Sequence, residues 1–338
     1  MENTRLNLAE CLASSSDWPV VILIASPVFA AVILESVESR PLCSSDMGVN
    51  KCELLKFEGL GNDFLIAFVD RRDMIVEPSR VRAILDRRRG AGADGLILSA
   101  LIETATGPGL SMLLYNSDGS QAQMSGNGIR CLAHGAVMTG LIVNSNFTVE
   151  TEAGPRAVAL GELIAPEVME IEVSMGKVAY RSAAFALRHE FSGIDFVGTE
   201  LDTGNPHLVF VARSQIESDS SLDLEALDLD FDGPLVEARY PEGTNIEWLN
   251  LNRDQGTAQL RVWERGVGIT QACGTGSTAS AFLLLDQGLM KGELEIVNPG
   301  GTLRLRQDLA NGEMLLIGES RFVAAITPSK ELSIASGL

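Results

Sequence analysis

The chain has 338 residues, with 26 Lys and Arg against 45 Asp and Glu, a formal charge of −19. That excess of carboxylates excludes an extended phosphate-backbone binder, which needs a basic face, but leaves room for a local positive pocket around a small anion. Hydrophobic residues at 46% and charged residues at 21% exclude a disordered chain, and at roughly 150 residues per domain the length corresponds to about two domains.

Residues 18–34, WPVVILIASPVFAAVIL, form an uncharged apolar run. A spanning helix needs about 20 such residues. This run is shorter, holds Pro27 in its middle and lacks a basic leader. A membrane anchor or signal and an upstream extension without a role are both open readings, the second being the plainer. The globular pattern begins with KCELLKFEGLGNDF (51–64), just past Met47. Translation is therefore expected to start at Met47, with residues 1–47 an extension that is untranslated or disordered.

Beyond it, LLKFEGL, FLIAFVD, GLILSAL, SMLLYN and FTVETEA read as short strands bounded by Gly, Asn and Asp. SRVRAILDRRR (79–89) reads as a helix capped by Ser79 and closed by Gly90. Further on, MEIEVSM, HLVFVA, NIEWLNL, LRVWE and LEIVN are strand-like, and SLDLEALDLDFDG is an acidic helix plus loop whose charge reads as a solvated face. No low-complexity linker intervenes, and the boundary between halves is expected near residues 165–180.

An internal repeat organises these elements. MSGNGIRCLAHGAVMTGLI (124–142) is echoed by ACGTGSTASAFLLLDQGLM (272–290), so that Ser125 and Cys273 lie 148 residues apart. VETEAG (149–154) is echoed by IVNPGG (296–301), and GND (61–63) by GNP (204–206). Several matches in one order predict a duplicated domain. In each copy a Gly-x-Gly turn leads into a helix whose first amides are unpaired and suit an anion. One such turn is weak evidence, but two at equivalent positions predict helix N-termini converging on one anionic group.

Ser125 and Cys273 stand immediately before these turns. A cysteine at a helix N-terminus is expected to have a lowered pKa, although a free cysteine is more often a small buried hydrophobe, as Cys131 is expected to be. The five cysteines (Cys11, Cys43, Cys52, Cys131, Cys273) form no C-x-x-C pair, and there are three histidines, His134, His189 and His207. Neither a disulfide framework nor a metal centre is expected. Groups on opposite faces of a substrate suit inversion at a carbon: one removes a proton, the other returns one, and the helix N-termini stabilise charge developing on an α-carboxylate.

FEGLGNDF (57–64), AGADGL (91–96), YNSDGSQAQMSGNGIRC (115–131), TGNPH (203–207), GTNIEW (243–248) and WERGVGITQACGTGS (263–277) together resemble the diaminopimelate epimerase family, over residues 52 to about 326. The resemblance implies an α+β fold of two pseudo-symmetric domains, each a curved barrel-like sheet around a central helix. The expected organisation is 48–168 for the first domain, with a strand near 319–328 returning to it, and 169–318 for the second. The implied activity is pyridoxal-independent interconversion of LL- and meso-diaminopimelate, toward lysine and peptidoglycan, in the cytoplasm, with no cofactor and no metal. The implied partner is a small diamino-dicarboxylate, with no nucleic acid and no membrane; a homodimer is left open.

The family's two catalytic cysteines fall at Ser125 and Cys273. Asn62, Asn116, Asn205 and Asn245 match asparagines that bond the distal amino-acid end. Glu264 and Arg265 match the pair that recognises the distal ammonium and carboxylate, a role that a carboxylate and a planar guanidinium suit. Gly126 with Asn127, and Gly274 with Thr275, match the turns that hold the reacting carboxylate. His207 and Glu264 match residues that tune the catalytic pair. Taken singly, each asparagine reads as a turn or cap.

The chain departs from the family at two positions. Serine at 125 is far less acidic than a thiol and needs a partner base, which His134 on the following helix does not obviously supply. Ile269 stands where the family has glutamate. Alternatives therefore stay open: a racemase or isomerase of another amino acid, or a catalytically impaired binding homologue.

Overall fold

The computed structural model describes residues 53–218, 220, 222–329, 332 and 334. The apolar run 18–34, the start at Met47, and Cys11, Cys43 and Cys52 lie outside the described residues. Among those described, no helix is long and apolar enough to cross a membrane.

The first half of the repeat contains β1 (Leu54–Gly59), β2 (Asn62–Phe68), α1 (Pro78–Leu85), β3 (Gly95–Ser99), β4 (Leu101–Thr104), β5 (Gly107–Ser111), β6 (Leu113–Asn116), β7 (Gln121–Ala122), α2 (Gly126–Met138), β8 (Asn146–Thr151), β9 (Gly154–Ala165) and β10 (Val168–Gly176). The second contains β11 (Ala179–Tyr180), β12 (Leu187–Phe191), β13 (Ile194–Asp202), β14 (Pro206–Ala212), α3 (Arg213–Glu217), α4 (Leu229–Glu237), β15 (Asn245–Asn252), β16 (Thr257–Glu264), β17 (Gly268–Ile269), α5 (Gly274–Asp286), β18 (Leu294–Asn298), β19 (Gly301–Gln307) and β20 (Met314–Ile326).

Strand pairing repeats the duplication seen in the sequence. β1–β2 is antiparallel, β2–β3 parallel and β3–β6 antiparallel. β13–β14, β14–β15 and β15–β16 follow the same succession. Then β5–β8 and β16–β18 are parallel, and β8–β9–β10 and β18–β19–β20 close as antiparallel meanders. β20 serves both halves: it pairs with β19, with β10 along most of its length, and with β1 at its end. This is a two-domain α+β fold, few in helices and built around one large hydrogen-bonded sheet.

The register makes the two halves comparable residue by residue. Phe64 faces Gly95 across β2–β3, as His207 faces Asn245 across β14–β15. α2 and α5 occupy the interiors. Residues 126–136 of α2 are all buried, and so are 276–284 of α5. α2 packs on β1, β2, β3, β10 and β20, and α5 on β14, β15, β18, β19 and β20, and a helix enclosed in this way is apolar or small on all its faces. Cys131 is packed core, with no exposure, and burial pushes its thiol up to about 12.

Several expectations need correction. The helix predicted at 79–89 runs from Pro78 to Leu85, with Pro in its first turn and Glu77 before it, and Ser79 does not cap it. It ends early because the Asp86 carboxylate accepts from the amides of Arg88 and Arg89, drawing the chain into a turn. Gly90 lies beyond that turn. SMLLYN is not one strand: the amide of Met112 turns to Glu150, so β5 pairs with β8 while β6 pairs with β3. The acidic segment holds a 3-10 turn (Leu224–Ala226) and α4, with Asp223, Glu225, Asp228 and Asp230 exposed.

Candidate active site

Ser125 and Cys273 are the N-caps of the two central helices. Both have extended backbone, and each side chain accepts from the amide three residues on: Gly128 N to Ser125 Oγ at 3.0 Å, and Gly276 N to Cys273 Sγ at 3.3 Å. A side-chain acceptor at the N-cap satisfies one unpaired amide and directs the rest outward.

The two helix starts touch. A Cβ placed on Gly274 would stand 3.6 Å from the Cα of Gly126 and 3.6 Å from Asn127 Oδ1. The side chain of Leu316, on the shared strand β20, lies against both turns: its Cδ1 would be 3.7 Å from a Cβ on Gly126 and 3.5 Å from one on Gly274. Two positive helix ends thus meet at van der Waals distance.

The approach loops are reciprocal. Leu60 (φ 56°) and Gly61 (φ 81°) form a two-residue hairpin with both central φ values positive, as a tight β1–β2 turn requires. That turn carries Gly61 to Gln271 of the other half, 3.5 Å from a Cβ position on Gly61 to the Gln271 Cβ. Gly204, at the matching turn, faces Ala153 of the first half. Gly300 N donates to Gln271 O at 2.7 Å, and Ala153 N donates to Gln123 O at 3.3 Å, so each half ties its cap segment to its own β8–β9 or β18–β19 turn.

The polar residues differ between halves. On the Cys273 side, Glu264 closes β16 and receives the Thr270 hydroxyl at 2.5 Å, while the Cys273 sulfur lies 3.4 Å from Thr275 Oγ1 and accepts from the Gly276 amide. Burial, reinforced by the charge of Glu247, pushes the Glu264 carboxyl above the usual carboxylate range. Burial followed by Glu264 and Glu247 also pushes the Cys273 thiol well above its ordinary value, although Thr275 and the Gly276 amide oppose this. The expectation of a lowered cysteine pKa is therefore corrected: full burial beside two carboxylates outweighs the helix N-terminus. His207, without exposed side chain, places Nδ1 2.7 Å from Glu247 Oε1 and Nε2 3.1 Å from Asn205 Oδ1.

On the Ser125 side, no imidazole or carboxylate hydrogen-bonds the hydroxyl among the described residues. His134 points elsewhere: its Nδ1 lies 3.3 Å from Ser320 Oγ and its ring packs on Phe57 at 5.0 Å. Ile97 and Met112 pack beneath Gly128, where the second half has Glu247 beneath Gly276.

The asparagines sit at the strand ends that rim these helices, and their amides are partly spent inside the protein. Asn62 Nδ2 donates to Asp94 Oδ2 at 2.8 Å, and Asn127 Nδ2 donates to Asn62 Oδ1 at 3.4 Å. Arg130, fully buried, donates through Nη2 to Asn127 Oδ1 at 2.9 Å. Asn116 Nδ2 donates to Ser120 Oγ at 3.0 Å. Asn245 bridges Pro206 O (3.0 Å) and the Arg265 amide (3.1 Å). Asn205 Oδ1 accepts from Thr203 Oγ1 at 2.8 Å, while its Nδ2 makes no hydrogen bond among the described residues. Arg265 is exposed at the rim, with Nη1 3.3 Å from Glu242 O.

Sequence reasoning missed Asp94, Arg130 and Glu247, although all three stand inside the quoted motifs. Alternation in NIEW puts Glu247 on the same strand face as Asn245, which was the available signal.

Comparison with known proteins agrees with the two-part fold. The family model described as diaminopimelate epimerase matches residues 54–180 and 199–323, one stretch in each half. A diaminopimelate epimerase from Mycobacterium sp. (strain KMS) is 37% identical over 290 residues, covering 80% of this chain and 95% of that one. Among solved structures, a phenazine biosynthesis protein of the PhzF family from Bacillus anthracis superposes with TM-score 0.60 at 16% identity, covering 82% of this chain and 99% of its own. A hydroxyproline epimerase from Agrobacterium vitis, with bound trans-4-hydroxy-L-proline, gives 0.58 at 14% identity, covering 82% and 92%. At those identities the structures speak to the fold alone.

Proposed function

Since the chain belongs to the diaminopimelate epimerase family and is an isomerase of the amino-acid epimerising kind, we propose that it interconverts LL- and meso-diaminopimelate without a cofactor, using Cys273 and Ser125 on opposite faces of one α-carbon. The observation that carries this reading is the pair of side-chain N-caps, 148 residues apart, on helices whose first turns abut. The amides of those turns hold the α-carboxylate and take up the charge that develops when the Cα–H bond breaks.

Cys273 starts as a thiol. Its proton passes to Glu264, whose raised carboxyl is a fitting acceptor. The resulting thiolate takes the α-proton from one face. The electron pair left on carbon is shared with the carboxylate. Ser125 then donates its hydroxyl proton to the other face, and the proton held by Glu264 passes through water to the serine oxygen, restoring all three groups. The reverse reaction runs through the same groups. The distal ammonium and carboxylate are held by Glu264, Arg265 and the rim asparagines, with Asn205 Nδ2 a ready donor. The pathway place is lysine and peptidoglycan precursor synthesis, in the cytoplasm.

A second reading follows from the apolar surroundings of Ser125: only the Cys273 face exchanges protons, as in a catalytically impaired homologue, or the chain is a racemase or isomerase of another amino acid. Incubating each diaminopimelate stereoisomer in D₂O and following α-proton loss together with the opposite stereoisomer separates the two. Inversion with exchange supports two working groups. Exchange without inversion supports one face alone, and binding with neither overturns the epimerase reading.

A further inference from the structure

Glu247 is a fully buried carboxylate that the proposed chemistry does not use. It lies on β15, on the strand face of Asn245, and its side chain enters the space beneath the first turn of α5. A Cβ on Gly276 would collide with its Oε1, so the glycine is what admits the carboxylate. Oε1 also accepts from His207 Nδ1 at 2.7 Å, and the other ring nitrogen faces Asn205 Oδ1 at 3.1 Å. Asn205 is further held by Thr203.

We propose that Glu247 is a positioning residue, whose carboxylate fixes the His207 imidazole between itself and Asn205 and so orients the Asn205 amide toward substrate. Two observations argue that it is not there merely to hold the fold. The sister half of this molecule places Ile97 against Gly128, the equivalent of Gly276, and packs the same helix start on an apolar side chain. The architecture therefore does not need a carboxylate at that position. Moreover, Glu247 Oε2 has no hydrogen-bond partner among the described residues. A buried carboxylate with one oxygen unspent costs stability relative to an apolar side chain of similar size. What it supplies in return is a fixed ring plane: Glu247 Oε1 and Asn205 Oδ1 hold the two nitrogens of His207 from either side. The helix N-terminus above it offsets part of the cost of its charge.

The substrate role rests on the epimerase reading, whereas the Glu247–His207 contact does not, and the test separates them. In the full chain without substrate, the His207 Nδ1 proton is expected far downfield in the proton NMR spectrum, assigned by its loss in His207→Gln. In Glu247→Gln it moves upfield while the melting temperature stays near that of the parent. With diaminopimelate, kcat/KM of Glu247→Gln falls about 10–100-fold, and in a His207→Gln background the same change costs nothing further. Should Glu247→Gln not fold, Glu247→Ile, which copies the packing of Ile97, takes its place in both measurements. An unmoved Nδ1 resonance, full activity, additive losses in the double variant, or unfolding of both variants overturns the proposal. A parent protein inactive on diaminopimelate defeats the epimerase reading and leaves the NMR arm to decide on Glu247.

Discussion

The N-termini of α2 and α5 are the same device built twice with different material beneath. Both are capped by the side chain that precedes a glycine, both are buried within sheet, and both touch Leu316. Under α2 lie Ile97 and Met112; under α5 lies Glu247, bonded to His207. Where β2 carries Phe64, β14 presents His207; where β6 ends with Asn116, β16 ends with Glu264. Pseudo-symmetry of backbone thus coexists with asymmetry of chemistry. The second half has carboxylates near its cap residue, whereas among the described residues no carboxylate or imidazole hydrogen-bonds Ser125. The fold brings two helix N-termini together, and side chains one layer below give the two caps different surroundings.

The largest break of this comparison is Cys273→Ala. It is expected to lower epimerisation by at least about 10³-fold, the scale of losing a nucleophile–base unit, with α-proton exchange in D₂O as the readout; exchange at the parental rate would remove Cys273 from the chemistry. Installing the second half's chemistry in the first is next. Ile97→Glu places a carboxylate beneath Gly128 with no histidine at position 64 to meet it, and should destabilise the fold by about 3–5 kcal/mol in urea unfolding. A smaller loss would mean that the first half tolerates charge as the second does.

A third measurement separates the halves by pH. His134 of α2 has its ordinary 6.5 lowered by burial to about 4, whereas the residue 148 positions later, on α5, is Phe282. Because the folded value is depressed, the unfolded chain binds the extra proton between pH 6.5 and 4. Stability from this group is therefore full above pH 6.5 and falls by about 3 kcal/mol as pH drops to 4. His134→Gln should flatten that part of a stability–pH curve, and an unchanged slope would assign it to other groups. The smallest expected effect is a gain. Ser125→Cys puts a more acidic group at the first cap and should raise inversion about tenfold relative to exchange. No gain would mean that the missing base, rather than the hydroxyl, limits that face.

Much of this was legible in order. The repeat, the Gly-x-Gly helix starts, the strands around them and the identity of the two cap residues all follow from spacing and side-chain type. The ends of α1 were misplaced because Asp86, a single local acceptor, redirects the chain. SMLLYN was read as one strand because apolar alternation does not reveal that Met112 changes partners. The Cys273 thiol was expected to be acidified because helix position is visible in sequence while burial beside Glu264 and Glu247 is not. Asp94 and Arg130 were overlooked because they act through Asn62 and Asn127.

By itself, the sequence determined the duplication and the two facing caps, because turns and helix starts are set by glycine placement and by the residue just before it. Only the tertiary structure decided the surroundings of the Cys273 thiol, and with them the upward direction of its pKa. Desolvation and the field of neighbouring carboxylates depend on what strands β15 and β16 bring beneath α5, and those residues are separated from Cys273 along the chain but not in space.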